Sequence, residues 1–224
     1  MRVLERLVPH EVAWAETRAD RLEAELFPAE RVALGRAVEK RRREFVAGRA
    51  CAREALARLG VAAVAVPSGA DGEPLWPAGI VGSITHCEGY RACAVAWSDA
   101  VVGLGIDAEP NRPLPGGVLE EVAHGRERDL LADGAVGQDI GRLLFSAKEA
   151  VFKAWFPMTR RRLGFADVEL SLDLAQAAFR ARLLVPGPVV GGVRLHELAG
   201  RWTVADGIVA TAVVVLPSGA RRRS

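Results

Sequence analysis

Three carboxylates and two lysines fall in two short stretches of this chain. In Val101-Val102-Gly103-Leu104-Gly105-Ile106-Asp107-Ala108-Glu109-Pro110, an apolar run reads as a buried strand that stops at a proline, with Asp107 and Glu109 at its end. Side chains alternate along a strand, so both carboxylates point to one side. The stretch Leu143 to Pro157 reads as a helix closed by its proline, with Glu149 and Lys153 sharing a face at i, i+4 and Lys148 beside Glu149. Such a set suits a divalent cation and a phosphate. Each piece also has a plainer reading. A D-x-E can be a solvated strand end, Ser146 with Glu149 fits a helix-opening capping box, and Glu149 with Lys153 can be a surface pair.

The elements around these stretches narrow the choice. From Ala29 to Leu59 the pattern predicts a long helix stopped by Gly60, with an apolar stripe at Val38, Phe45, Ala52, Leu56 and Leu59. At about 100° per residue, Arg41 and Arg49 lie near Phe45 on the core-facing side, where a guanidinium calls for an anion. Glu44 is one such partner and a bound phosphate is another. Val61 to Pro67 reads as a short strand and Ser68 to Pro74 as a turn-rich loop. Ile80 to Cys87 is a strand ending in Thr85 and His86, a polar end where ligands are met. Arg91 to Trp97 and Val101 to Ile106 read as a hairpin across Ser98-Asp99, and Arg201 to Val204 with Ile208 to Leu216 as another across Asp206-Gly207. Asn111 to Gly141 is a long connection with a short helix near Glu120 to Leu131, and residues 1 to 28 are an irregular or partly helical lead-in.

Composition excludes several classes. Half of the 224 residues are hydrophobic, a quarter are charged and the net charge is +2, the profile of a soluble globular protein without a general nucleic-acid coat. Three cysteines, Cys51, Cys87 and Cys93, lack C-x-x-C spacing, so neither a disulfide framework nor a zinc site is indicated. No run reaches the length of a membrane span and the N-terminus lacks a signal-peptide core, so a cytoplasmic protein is expected. The last residues, Ser218 to Ser224, are expected to be disordered.

Taken together, Arg41-Arg42-Arg43-Glu44-Phe45, Arg49-Ala50-Cys51-Ala52-Arg53, Gly72-Glu73-Pro74-Leu75-Trp76-Pro77, Gly82-Ser83-Ile84-Thr85-His86-Cys87, Gly105-Ile106-Asp107-Ala108-Glu109-Pro110 and Phe145 to Pro157 resemble the Sfp/EntD-type 4′-phosphopantetheinyl transferases, close to the branch found in mycobacteria and their actinobacterial relatives. The resemblance implies an α+β monomer of two similar lobes related by a pseudo-twofold, each a helix on a small antiparallel sheet. The N-terminal lobe would span 1–104 and the C-terminal lobe 105–217, with 218–224 a tail. It implies transfer of the phosphopantetheine arm of coenzyme A to a serine of an apo acyl or peptidyl carrier protein, releasing adenosine 3′,5′-bisphosphate and serving fatty-acid, polyketide or nonribosomal-peptide synthesis.

By the same resemblance, Asp107, Glu109 and Glu149, with the Ala108 carbonyl, would hold Mg²⁺ or Mn²⁺. Arg41, Arg49, Gly69, Thr85, His86, Asp107, Lys148 and Lys153 would bind coenzyme A, and Glu149 with Lys153 would form the catalytic pair, Glu149 taking the serine proton. Relatives often carry a lysine just before Gly69, where this chain has Ser68. Neither a nucleic-acid partner nor a membrane is implied. Of the rival readings, a metal-dependent nuclease places its later acid and lysine two apart on a strand, whereas here they are four apart on a helix. A non-catalytic module that binds coenzyme A or a carrier would lack some of the three acids.

Overall fold

The computed structural model describes residues 2–20, 24–35, 38–132 and 139–217. The tail from Ser218 to Ser224 lies outside the described residues. In chain order the elements are β1 (Ala13–Thr17), α1 (Pro28–Arg31), α2 (Glu39–Arg58), β2 (Ile80–Cys87), β3 (Tyr90–Trp97), β4 (Gly103–Pro110), α3 (Val118–Val122), α4 (Glu127–Ala132), α5 (Ile140–Thr159), β5 (Val168–Asp173), β6 (Ala178–Leu183), the short pair β7 (Val189–Val190) and β8 (Val193–Arg194), β9 (Glu197–Ala205) and β10 (Ile208–Val215). The class is α+β, as expected. Its two larger sheets are antiparallel, with strand orders β1-β3-β2 and β4-β10-β9-β6-β5. The boundary expected between 104 and 105 falls inside β4.

Strand β4 shows how sequence sets packing. Leu104, Ile106 and Ala108 point into an apolar layer with Ala92, Ala94 and Ala96 of β3 and Ala210 and Ala212 of β10. The alternate positions Gly103, Gly105, Asp107 and Glu109 take the other face, towards α5. A Cβ at Gly105 would collide with the carbonyl oxygen of Ala150 and lie 2.6 Å from the Ala154 nitrogen. Helix and strand therefore meet backbone to backbone, and only glycine fits between them. Past the glycines the carboxylates have room to reach the helix.

Several elements differ from the sequence reading, each for a local reason. The lead-in contains β1, an edge strand on β3, and Glu16 ties it down by accepting from the Val3 amide at 2.9 Å and the Tyr90 hydroxyl at 2.7 Å. The single helix expected over 29–59 is two, and Val38, expected in the apolar stripe, caps α2 with 72% of its surface exposed. Val61 to Pro67 forms no strand. The Val66 amide donates to Glu30 Oε1 and its carbonyl accepts from Arg49 Nε, so side chains have taken the groups a ladder needs.

The first expected hairpin is misassigned. β3 turns tightly from β2 across Glu88 and Gly89, the glycine at φ +73°, whereas β4 pairs with β10 in the other sheet. The second, β9–β10 across Asp206-Gly207, forms as expected, with both turn residues at positive φ. The long connection carries two short helices, α3 and α4, in place of one. Nor does Pro157 close α5, which continues to Thr159 and ends where Arg160 adopts φ 54°.

A hydrogen-bond pattern recurs in the two parts of the chain. Glu30 on α1 is wholly buried, accepting from the Phe27 amide at 2.9 Å, the Val66 amide at 2.9 Å and Arg53 Nη1 on α2 at 3.2 Å. Glu127 on α4 is equally buried, accepting from the His124 amide at 2.8 Å, the Leu170 amide at 2.7 Å and Lys148 Nζ on α5 at 2.7 Å. The next residue repeats as well: Arg31 Nε donates to the Leu26 carbonyl and Arg128 Nε to the Ala123 carbonyl.

Candidate active site

Helix α5 starts at Asp139, whose side chain accepts from the Arg142 amide at 2.8 Å. Arg142, Glu149 and Lys153 then fall at intervals of seven and four, within about 20° of one helical line. That line faces the end of β4. Lys153 Nζ donates to Asp107 Oδ1 at 2.7 Å, and Arg142 Nη1 to Glu109 Oε2 at 2.9 Å. The half-buried Glu149 lies between the two ion pairs along the helix. Burial raises the pKa of Glu149, and the Asp107 charge adds to this while Lys153 opposes it. Glu109 is raised for the same first reason, with Asp107 adding and Arg142 opposing. A carboxyl lifted in this way binds a proton more readily than one in water.

The edge strand of the smaller sheet, β2, runs alongside β4 in the same direction. Ser83 Oγ accepts from the Ile106 amide and Thr85 Oγ1 from the Ala108 amide, both at 3.0 Å, so hydroxyls stand where a ladder would otherwise be. Thr85 Oγ1 also donates to Asp107 Oδ1 at 3.2 Å. His86, on the opposite face of β2, meets α2. Its Nε2 accepts from Arg41 Nη1 at 3.1 Å, which leaves the proton on Nδ1, 3.6 Å from Glu44 Oε2. Burial lowers the pKa of His86, as do Arg41 and Lys153, against the pull of Glu44 and Asp107. A groove of about 760 Å³ runs from Lys40, Arg41 and His86 to Glu109, Arg112 and Arg142.

The structure thus brings together Asp107, Glu109, Glu149 and Lys153, with Arg41 and His86 along the adjoining groove. Three expected contributors stand elsewhere, and the Thr85 hydroxyl is already engaged within the site. Lys148 points away into the core, its ammonium donating to the Val122 carbonyl, Glu127 and the Phe165 carbonyl. Because a helix turns by about 100° per residue, Lys148 and Lys153 cannot share a face. Arg49 is buried, stacks on Phe45 and is committed to the Val66 carbonyl and Ser68 Oγ. Burial lowers its pKa to about 10. The Gly69 amide is taken by the Glu73 carbonyl at 2.7 Å. Thr85 is 2% exposed, and its hydroxyl holds Asp107 and the Ala108 amide of β4.

Arg142 went unrecognised in the sequence. Its seven-residue spacing from Glu149 was the available signal.

The carboxylates offer only oxygen donors, the chemistry a hard divalent ion takes. Asp107 Oδ2 is buried and has no hydrogen-bond partner among the described residues, an orphan that such an ion would satisfy. Among the described residues no three His, Cys, Asp or Glu converge closely enough to form a complete cage. An open site of one or two carboxylates completed by substrate phosphates is the usual arrangement for Mg²⁺. The Ala108 amide faces β2, and a strand residue's carbonyl leaves on the same edge as its amide. Cys87 lines the groove, but burial beside Glu109 and Asp107 pushes its thiol up to about 12, so it remains protonated. Among the described residues, no helix is long and apolar enough to cross a membrane.

Comparison with known proteins points to one family. Residues 29–96 match the 4′-phosphopantetheinyl transferase N-terminal domain and residues 103–204 the 4′-phosphopantetheinyl transferase superfamily. The chain is 51% identical over 203 residues to the 4′-phosphopantetheinyl transferase Svp of Streptomyces mobaraensis, covering 89% of this chain and 82% of that protein. It is 44% identical over 219 residues to the 4′-phosphopantetheinyl transferase Npt of Nocardia iowensis, covering 94% and 99%. Enterobactin synthase component D of Escherichia coli K12 is 36% identical over 142 residues, 61% of this chain and 65% of that protein.

Proposed function

We propose, starting from the fact that the chain belongs to the 4′-phosphopantetheinyl transferases, that it moves the phosphopantetheine arm of coenzyme A onto a serine of an apo acyl or peptidyl carrier protein in a Mg²⁺-dependent reaction. The observation that carries this reading is the meeting of Asp107 and Glu109 on β4 with Glu149 and Lys153 on α5, beside a groove lined by Arg41 and His86.

In this reading the serine oxygen attacks the β-phosphorus of coenzyme A. The bond from that phosphorus to the bridging oxygen breaks, and adenosine 3′,5′-bisphosphate leaves. Glu149, its basicity raised by burial, accepts the serine proton. The Lys153 ammonium, 27% exposed, is close enough to turn from Asp107 to the pyrophosphate and balance its charge. Arg41 and His86 bind nucleotide phosphate in the groove, and Thr85 keeps Asp107 oriented. Asp107, Glu109 and Glu149 would hold Mg²⁺, which supplies charge neutralisation at the pyrophosphate. The division into lobes over 1–104 and 105–217 belongs to the same reading, with coenzyme A between them.

Intact-mass spectrometry of an apo carrier protein incubated with this protein, coenzyme A and Mg²⁺ tests the reading, with EDTA as the control. A phosphopantetheine-sized gain that EDTA prevents is the expected result. No gain on acyl or peptidyl carriers despite coenzyme A binding would leave a binding module, and cleavage of added nucleic acid would indicate a nuclease.

A further inference from the structure

The three donor nitrogens of Arg142 are all used. Nη1 donates to Glu109 Oε2 at 2.9 Å, Nε to the Arg112 carbonyl at 2.9 Å and Nη2 to the Pro113 carbonyl at 2.7 Å. The side chain is 9% exposed, so these contacts are made largely out of water. The segment it serves follows β4, whose last residue is Pro110, and holds prolines at 113 and 115, which lack amide donors. Its carbonyls must find donors elsewhere, and one guanidinium supplies two of them. The same planar guanidinium holds Glu109 through one charge-assisted bond from Nη1, its other two donors being fixed on the backbone. Arg142 is itself fixed, because its amide is capped by Asp139 and it stands on the α5 line that carries Glu149 and Lys153.

We propose that Arg142 is a positioning residue that sets Glu109 for the divalent cation and shapes the groove wall at residues 112–113. This rests on the transferase reading above. Arg142 does not touch the reacting atoms. It acts by holding one carboxylate in register with the helix that bears the base. A partner of this kind behind a ligand typically governs metal affinity by 10–100-fold when removed.

The test compares wild type with Arg142→Lys, Arg142→Met, Glu109→Gln and the double variant Arg142→Met with Glu109→Gln. Mn²⁺ is titrated calorimetrically into each protein saturated with coenzyme A, and the rate of transfer is followed against Mg²⁺ concentration. Arg142→Lys keeps a charge for Glu109 but cannot span both carbonyls, and it covers the case in which Arg142→Met fails to fold. Both are expected to weaken Mn²⁺ binding by about 10–100-fold and to raise the Mg²⁺ needed for half-maximal rate by more than kcat falls. In the Glu109→Gln background, removing Arg142 is expected to add little. A folded Arg142 variant with wild-type Mn²⁺ affinity and only a lowered Tm would overturn the proposal and leave Arg142 a structural anchor, as would full additivity in the double variant. A wild-type protein that neither transfers phosphopantetheine nor binds Mn²⁺ would instead overturn the functional reading on which the proposal rests.

Discussion

Lys153 Nζ lies 2.7 Å from Asp107 Oδ1, while Oδ2 of the same buried carboxylate meets no donor among the described residues. One oxygen is thus neutralised by the helix and the other is left for a ligand. Asp107→Asn keeps the shape and removes the charge. It is expected to lower carrier modification by about 10²-fold or more with an unchanged circular dichroism spectrum. Near-normal turnover in that variant would remove Asp107 from the site.

The two lysines of α5 should separate cleanly under substitution. Lys148 is 2% exposed and neutralises the fully buried Glu127, so Lys148→Met strands a charge and is expected to cost about 3–5 kcal/mol in denaturant unfolding. Lys153 is 27% exposed and its loss leaves the buried Asp107 the Thr85 hydroxyl, so Lys153→Met is expected to cost less stability than Lys148→Met while kcat collapses. If Lys148→Met proves as stable as wild type yet inactive, the roles assigned to the two lysines are reversed.

Close approach at Gly105 is equally open to test. Gly105→Ala places a methyl against the Ala150 carbonyl and Ala154 nitrogen, both backbone atoms that cannot swing aside. Overpacking of this kind costs about 1–3 kcal/mol, roughly 2–12 °C in Tm for a chain of this size. Because α5 must shift from β4 to admit the methyl, activity should fall further than stability alone explains. Wild-type Tm and rate in Gly105→Ala would show that helix and strand do not meet as described.

His86 should make the fold sensitive to mild acid. Burial, Arg41 and Lys153 hold its pKa below the ordinary 6.5, outweighing Glu44 and Asp107. Between the lowered value and 6.5 the unfolded chain binds more protons than the folded one, so stability rises with pH there. The contribution is complete above 6.5 and is lost as pH falls through the lowered value. Thermal unfolding of wild type and His86→Gln from about pH 8 to about pH 5 is expected to show wild type losing more on acidification. Parallel curves would mean that His86 titrates normally.

Much of the site was legible because its chemistry is written at short range. The alternation in Gly105-Ile106-Asp107-Ala108-Glu109 and the four-residue step from Glu149 to Lys153 place those groups once strand and helix are recognised. The β9–β10 hairpin was readable from Asp206-Gly207 for the same reason. What could not be read depended on distant partners. Lys148 looks like a phosphate ligand until Glu127 is seen to hold it, and Arg49 until Val66 and Ser68 are placed. Nor does the sequence of β3 say that both its edges are already occupied by β1 and β2, which sends β4 to the other sheet.

The two buried glutamates also bear on the order in which the molecule comes apart. Glu30 closes a loop to Val66 that encloses α2, and Glu127 closes one to Leu170 that encloses α5. Neither loop crosses into the other, so each long helix is latched by contacts from its own stretch of chain. Sub-global opening follows such latches. Amides of α2 should therefore exchange earlier when Glu30 is lost and those of α5 when Glu127 is lost, two latches that fail independently around one shared seam of strands.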